Sequence, residues 1–413
     1  MSLTSAMQIG RSALTASQIG IQVAGNNMAN AATPGYSRQV AYLQPVAGDR
    51  ATTGISIGRG VNVTDVRRQV DEALQSRLWN GISDEAKAQQ KLSILSQIES
   101  TLGELGDRDL SNELQSFFNT WSERANLSKS SSAVVQQGVK LSQLIQRTRS
   151  DLSNLRTQID KQLGTTVERA DDLLSTVAEL NAQIAGAESA GAHANTLRDQ
   201  RDQIITDLSK LMDITAIEQP SGSMDILVGS TPVVLAGSSR GLELRLESRN
   251  GTVEARITTG DPPEDIAISS GQIGGLLSSR NASVDKVLDD LNALASQLIF
   301  EVNKLHSTGT NTAGLTAALG TMSVSTDDRI LSFNDPANIT TGELPYAAKT
   351  GGFYVTVKND SSGSTSTVRI NVDLDGRLNT GAAGFADDTT PDDIRAALNA
   401  VSGLTASWDP SGK

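Results

Sequence analysis

Residues 145–184 read IQRTRSDLSNLRTQIDKQLGTTVERADDLLSTVAELNAQI, and mostly apolar side chains recur in this stretch every three or four positions. These positions are Ile145, Thr148, Leu152, Leu155, Ile159, Leu163, Val167, Ala170, Leu174, Val177, Leu180 and Ile184. The spacing places them on one face of an α-helix. With residues 134–144 included, the pattern covers about 50 residues, or about 75 Å of helix. A helix of this length needs neighbours along it, so the sequence predicts an elongated antiparallel bundle.

Helical spacing also occurs on both sides of this stretch, over about residues 66–105, 109–127, 195–212 and 274–305. Trp79 and Trp121 fall on two of these segments, and we expect both to be core anchors. In the first segment, the apolar residues Leu92, Leu95, Ile98, Leu102 and Leu105 are spaced by 3, 3, 4 and 3 positions, which is a helical spacing. The helices thus account for most of the chain before residue 320.

Period-two alternation between the last two helices predicts strands over about 214–219, 224–228, 233–236, 242–247 and 253–258. Asn250-Gly251 is a typical two-residue hairpin turn between the last two strands. Beyond about residue 320 the chain is rich in Gly, Ser, Thr and Asp, with strands near 353–358 and 366–374 and a short helix after Pro391. The predicted class is therefore α+β: a helical bundle with a small strand region, plus a β-rich outer domain.

We predict three domains from these patterns. Residues 1–65 form an N-terminal axial helix with a hinge and an extended segment, and residues 66–320 form the helical domain with a strand insertion at about 214–270. Residues 321–413 form the outer domain. The last residues, Asp409 to Lys413, resemble a hairpin turn more than a domain end, so we expect this domain to be incomplete.

Composition excludes several classes of protein. The 413 residues include 35 Lys and Arg against 47 Asp and Glu, and the net charge of −12 argues against nucleic-acid binding. The absence of Cys excludes disulfides, thiolate metal sites and cysteine nucleophiles. No run is long and apolar enough for a transmembrane helix, so no membrane partner is expected. The N-terminus lacks the charged and apolar regions of a cleavable signal peptide.

The N-terminal 48 residues carry only two charged side chains, Arg11 and Arg38. Met7, Leu14, Ile21 and Met28 recur there every seven residues, and Leu3 begins a second row four positions before them. We call these five large apolar residues the heptad seam. Small residues occupy neighbouring heptad positions, which favours a closely approaching partner helix. The nearby chain offers no such partner, so we predict a self-assembly role for the seam. The alternative interpretation of this helix is an ordinary amphipathic helix that packs in the core of its own chain.

The helix runs into a segment that we call the hinge, residues 27–36, which includes Asn27, Asn30, Pro34, Gly35 and Tyr36. Asn and Gly tolerate left-handed backbone conformations, and Pro fixes φ at a turn. The pattern predicts a helix end followed by a Pro-Gly turn.

The sequence around the hinge, Gly25-Asn26-Asn27-Met28-Ala29-Asn30 and then Thr33-Pro34-Gly35-Tyr36, closely resembles the N-terminal signature of bacterial flagellar axial proteins. Further stretches, Tyr36-Ser37-Arg38-Gln39, Leu197 to Asp202, and Gly274-Gly275-Leu276-Leu277 through Arg280, resemble the hook-associated protein 1 family. The resemblance covers about residues 1–310. In one respect the chain departs from the family: it ends without the C-terminal helical region, and we interpret it as a fragment.

The resemblance implies a structural subunit that polymerises at the distal end of the hook and forms the hook-filament junction. It implies as partners other copies of the chain, the hook protein, a second junction protein and an export chaperone. It also implies an extracellular flagellar location, reached through the flagellar export apparatus without a cleaved signal peptide. Another axial protein, such as hook or distal rod protein, is one alternative, and a flagellum-exported enzyme or adhesin is another.

Catalytic and cofactor motifs are weak in this sequence. His193 and His306 lack zinc-protease spacing, and no phosphate-binding loop occurs. We interpret His193 as a solvated loop residue and His306 as a helix C-terminal residue. Residues 371–376, NVDLDG, have part of a calcium-loop pattern, but Ala382 stands where its bidentate Glu belongs. We therefore predict no enzyme activity, no cofactor and no metal, and a strand running into an Asp-Gly turn.

A charged cluster in the 195–212 helix has several possible roles. Arg198, Asp199, Arg201 and Asp202 can form an acid-base cluster, a packing or intersubunit contact, or a solvated face with an Arg198–Asp202 pair. The resemblance favours a packing or interface role.

Overall fold

The computed structural model describes residues 3–48, 58–103, 109–126, 131–189, 191, 193–249, 252–308, 314–320, 322–342, 344 and 347–413. The chain divides into two compact units, Met1–Leu291 and Asn292–Lys413. The division into domains at residues 65 and 320 stays a prediction. Long helices with small antiparallel sheets confirm the predicted α+β class.

The first unit is built on long helices. They are α1 (Leu3–Ala29), α2 (Glu72–Leu102), α3 (Leu110–Ala125), α4 (Ser131–Glu188), α5 (Asn195–Leu211) and α6 (Gly271–Ser279). A π-helical turn, Arg280–Val284, joins α6 to α7 (Asp285–Thr308). Among the described residues, no helix is both long and apolar enough to span a membrane.

The predicted long helix is α4, which has 58 residues and is about 87 Å long at 1.5 Å per residue. Eleven of the twelve positions that define its predicted apolar face are buried, and Ile145 is half-buried. Eight of the eleven, those from Leu152 to Val177, pack in one cluster with residues of α2, α5, α6 and the strands. The spacing of three and four residues along α4 therefore correctly predicts which of its side chains face the core.

Three small antiparallel sheets complete the first unit. β1 (Gln39–Pro45) pairs with β2 (Val61–Arg68). The second sheet contains β3 (Thr215–Glu218), β4 (Met224–Val228), β5 (Thr231–Leu235) and β6 (Ser238–Ser239), in that order. The third contains β7 (Leu242–Arg249), β8 (Thr252–Thr259) and β9 (Glu264–Ile266). The predicted hairpin turn at Asn250-Gly251 lies outside the described residues, between the paired Arg249 and Thr252.

Two expectations for the helices were wrong, the start of α2 and the burial of Trp121. The helix predicted from about Val66 begins at Glu72, because β2 continues to Arg68 by pairing with β1 and Asp71 caps the helix. Later in α2, Ile94 and Ile98 are buried while Leu92 and Leu95 are exposed, and Leu105 lies outside the described residues. Trp79 is a buried anchor as predicted, but Trp121 is 39% exposed and contacts Phe117 edge-on.

The second unit contains the predicted strands and the helix after Pro391. β10 (Gly351–Lys358) pairs with β11 (Thr365–Val372). The short helix α8 (Ile339–Gly342) precedes these strands in the chain, and α9 (Pro391–Asn399) follows them. Thr390 and Asp393 form a reciprocal capping box at the start of α9. Ile370 and Val401 are buried in this unit.

Glycine at position 275 is required by the packing of α6 against α2. A Cβ at Gly275 would lie 2.9 Å from the Cβ of Gln90 and 3.1 Å from the carbonyl oxygen of Lys87. We expect Gly275→Ala to lower the free energy of unfolding by about 1 to 3 kcal/mol, because the two helices must separate. Urea unfolding measures the change.

The matched control is Gly81→Ala in α2, where an added Cβ meets no atom within 4 Å. This substitution should be neutral or stabilise the helix by up to about 1 kcal/mol, since alanine has the higher helix propensity. Equal effects of the two substitutions would show that the α2–α6 contact does not need glycine.

Candidate assembly site

The heptad seam forms an exposed apolar face on α1. Its five side chains are between 63% and 81% exposed. The opposite face of the same helix contacts β1 and β2, where Ala16 is buried and the backbone N–H of Val61 donates to Oγ of Ser12 at 3.2 Å. Within the described residues, α1 is thus attached to its own chain mainly through the face that carries Ser12 and Ala16. The seam remains available for a partner.

The hinge is held to α1 by the side chain of Asn27. Its Nδ2 donates to the carbonyl oxygen of Gln39 at 2.8 Å, and its Oδ1 accepts from the N–H of Gln39 at 2.9 Å. The hydroxyl of Tyr36 also donates to Oδ1 of Asn27, at 2.8 Å. Asn27 therefore pairs with the first residue of β1 as a neighbouring strand would, and fixes the chain reversal between α1 and β1.

The remaining hinge residues form the predicted turn. Nδ2 of Asn30 donates to the carbonyl oxygen of Asn26 at 3.0 Å, and the N–H of Tyr36 donates to the carbonyl oxygen of Thr33 at 3.2 Å across Pro34 and Gly35. Gly35 has φ of 78°, a left-handed conformation that favours glycine. Burial, followed by the negative charge of Asp199, raises the pKa of Tyr36.

The four charged residues Arg198, Asp199, Arg201 and Asp202, which we call the α5 cluster, lie on α5. The two aspartates of this cluster connect the hinge and β2 to α5. The N–H of Ser37 donates to Asp199 at 3.3 Å. Nη1 of Arg68, at the end of β2, donates to Asp199 at 2.9 Å and to Asp202 at 2.7 Å. All three charged side chains are at most 11% exposed, so the ion pairs are largely desolvated. Both aspartates of the predicted cluster therefore serve packing within the chain.

The two arginines of the cluster have different partners. Arg198 binds Glu188 through two hydrogen bonds of 2.7 and 2.8 Å and also pairs with Glu218, so the solvated Arg198–Asp202 pair is not formed. Arg201 is fully buried and donates to the carbonyl oxygen of Gly222 at 2.7 Å. Burial lowers the pKa of Arg201. A role for these four residues between subunits stays a prediction.

Sequence reasoning missed the partners of this cluster. His193 is not a solvated loop residue, because its Nε2 lies 2.9 Å from Oδ2 of Asp65, and the side chain is 31% exposed. His306 does lie in the last turn of α7 as predicted. Arg68 had no local signal, since it is separated from Asp199 by 131 residues, whereas Glu188 lies only 10 residues before Arg198 and was overlooked.

The Glu188–Arg198 pair predicts a particular dependence of stability on acid. The hydrogen bonds from Arg198 lower the pKa of Glu188 from 4.5 to about 2. The unfolded chain binds this proton first as the pH falls, so the pair stabilises the protein fully above about pH 4.5 and progressively less towards pH 2. We expect Glu188→Gln to flatten the fall in unfolding free energy between about pH 5 and pH 2.5.

Glu179→Gln is the control for this experiment, because Glu179 lies on the same helix and is exposed. Chemical unfolding at a series of pH values gives the slopes. The control should keep the slope of the parent protein, and an unchanged slope in Glu188→Gln would contradict the assigned pair.

Long helices, and an α1 that is docked by one face and exposes an apolar seam on the other, characterise the first unit. The family "Flagellar hook-associated protein FlgK helical domain" matches residues 95–320, and "Flagella basal body rod protein" matches residues 7–36. The first match covers more than half of the chain. The protein therefore belongs to the FlgK family of flagellar hook-associated proteins.

Relatives named flagellar hook-associated protein 1 agree with this membership. The Bacillus subtilis protein is 28% identical over 75% of this chain and 68% of its own length. The Salmonella typhimurium protein is 25% identical over 76% of this chain and 58% of its own length. A solved structure, the flagellar hook junction protein FlgK from Burkholderia pseudomallei, is 22% identical over 71% of this chain and 56% of its own, with a TM-score of 0.49.

Proposed function

We propose that this protein is a structural subunit that polymerises at the distal end of the flagellar hook and forms the junction on which the filament is assembled. The observation that carries the proposal is the heptad seam, which is exposed while the opposite face of α1 is docked on β1 and β2. Burial of apolar side chains drives association, and each large side chain buried contributes about 1.5 to 3 kcal/mol. The seam thus supplies a driving force for axial packing.

The partners follow from this role. Other copies of the chain lie beside it in the polymer, the hook protein lies below, and a second junction protein lies above. An export chaperone binds the subunit before export, and the flagellar export apparatus carries it out of the cell. The relatives from Bacillus subtilis and Salmonella typhimurium are named as hook-associated proteins, which supports a structural role without enzyme activity.

A second candidate, another axial protein of hook or rod, is favoured by the match of residues 7–36 to a rod protein family. Immunogold electron microscopy of purified flagella with an antibody to this protein separates the two. We expect gold only at the boundary between hook and filament. Gold along the hook, or on the rod, would contradict the junction role.

A further inference from the structure

The loop after β11 is fastened to a distant segment before α9. The N–H of Asp373 donates to Oγ1 of Thr389 at 2.8 Å, and the N–H of Thr389 donates back to the carbonyl oxygen of Asp373 at 2.7 Å. Gly376, with φ of 68°, forms the predicted Asp-Gly turn, and its N–H donates to Oδ2 of Asp388 at 3.0 Å. Asp388 is thereby placed beside the turn.

Three carboxylates converge at this turn. Asp373, Asp375 and Asp388 each place a carboxylate oxygen within 4.8 Å of the others. Asp373 and Asp375 are exposed, whereas Asp388 is 2% exposed. Among the residues that the structure describes, no ion pair includes any of the three. The backbone N–H of the nearby Arg377 donates to Oδ1 of Asp375 at 2.8 Å, but no described ion pair balances the negative charge of the cluster.

Asp388 carries a second signal that points to a ligand. Its Oδ2 accepts hydrogen bonds from Nδ2 of Asn334 at 2.8 Å and from the N–H of Gly376, but its buried Oδ1 has no hydrogen-bond partner within the described chain. A buried carboxylate oxygen without a partner is destabilising unless a cation or a hydrogen-bond donor compensates it.

A hard divalent cation would both balance the negative charge of the three carboxylates and provide a partner for Oδ1 of Asp388. Ca²⁺ binds carboxylate oxygens at about 2.3 to 2.6 Å, so two of its ligands lie at most about 5 Å apart, which agrees with the spacing of the cluster. The two exposed carboxylates leave one side open to water, and Ca²⁺ accepts water among its ligands. We propose that Asp373, Asp375 and Asp388 form a divalent-cation site that prefers Ca²⁺.

This proposal departs from the interpretation of residues 371–376 in the sequence. The calcium-loop template expects its last ligand at position 382, which is Ala. The third carboxylate instead comes from Asp388, which the pairing of Asp373 with Thr389 brings to the turn. Bound cation would tie the end of β11 to the segment before α9 and stabilise this part of the second unit.

Isothermal titration of the chelator-treated 413-residue chain with CaCl2, and separately with MgCl2, tests the site. We expect one Ca²⁺ per chain with a dissociation constant on the order of 0.1 to 1 mM, as in extracellular calcium modules. Asp375→Asn and Asp388→Asn should each weaken binding by about tenfold or more. Asp375 is exposed, so this variant tests the site even if Asp388→Asn fails to fold.

Asp360→Asn is the matched control, because Asp360 is an exposed aspartate in the turn between β10 and β11, away from the cluster in sequence. It should bind Ca²⁺ as the parent chain does. No saturable binding of either metal up to about 10 mM, or equal binding by Asp375→Asn and the parent chain, would overturn the proposal.

Discussion

Replacing Leu14 and Ile21 by glutamate should leave the subunit folded and exported but remove it from the flagellum. Both side chains are exposed in the chain, at 63% and 73%, so the substitutions disturb no contact among the described residues. The proposed function requires the seam to be buried in the polymer, and burying an unpaired carboxylate there would cost several kcal/mol. The two changes together should lower incorporation by at least about a hundredfold.

The measurement is complementation of a strain that lacks the gene, with flagella counted by electron microscopy and the secreted variant measured in the medium. Gln8→Glu with Gln22→Glu is the control, since it adds the same charge to exposed positions of α1 outside the seam. The control should restore flagella. Normal flagella with the Leu14 and Ile21 variant would contradict a role for the seam in assembly.

Arg280→Ala should cause the largest loss of stability of any substitution considered for this protein. Arg280 is fully buried in the π-helical turn, where its Nε donates to Asp160 at 2.5 Å and its Nη2 donates to the carbonyl oxygen of Val253 at 2.8 Å. Truncation leaves the partly buried carboxylate of Asp160 without its arginine, whereas the carbonyl oxygen of Val253 keeps a hydrogen bond from Arg156. We expect the free energy of unfolding to fall by about 3 to 5 kcal/mol, measured by urea unfolding.

Arg245→Ala provides the comparison for a surface ion pair. Arg245 lies 3.0 Å from Glu243, and both side chains are more than a third exposed. This control should change stability by at most about 1 kcal/mol, because solvent screens such pairs. If Arg280→Ala costs no more than the control, the desolvated pair with Asp160 does not hold α4 to the π-helical turn.

Local periodicity was sufficient to predict most of the fold. The steps of three and four residues along α4 correspond to side chains that are buried in the structure, because a long amphipathic helix allows one orientation only. β4 was predicted at its observed bounds for a similar reason, since Met224, Ile226 and Val228 alternate towards the core. These features depend on neighbours in sequence.

Sequence analysis failed where the structure of a segment depends on residues far away in the sequence. Val66 to Arg68 continue a strand because β1 supplies hydrogen bonds, and no local signal competes with the helical spacing that follows. The α5 cluster was found, but its partner Arg68 was not, because the contact joins residues 131 and 134 positions apart. The same limit applies to Asp388, whose place beside Asp375 depends on the pairing of Asp373 with Thr389.

Deletion of the gene in its own organism tests the proposed junction role most directly. The account predicts cells that assemble hooks without filaments and shed flagellin into the medium, because the subunit that connects hook to filament is missing. Restoration of filaments by the intact gene would attribute the defect to this protein. Filaments of normal number and length on the deletion strain would contradict the account.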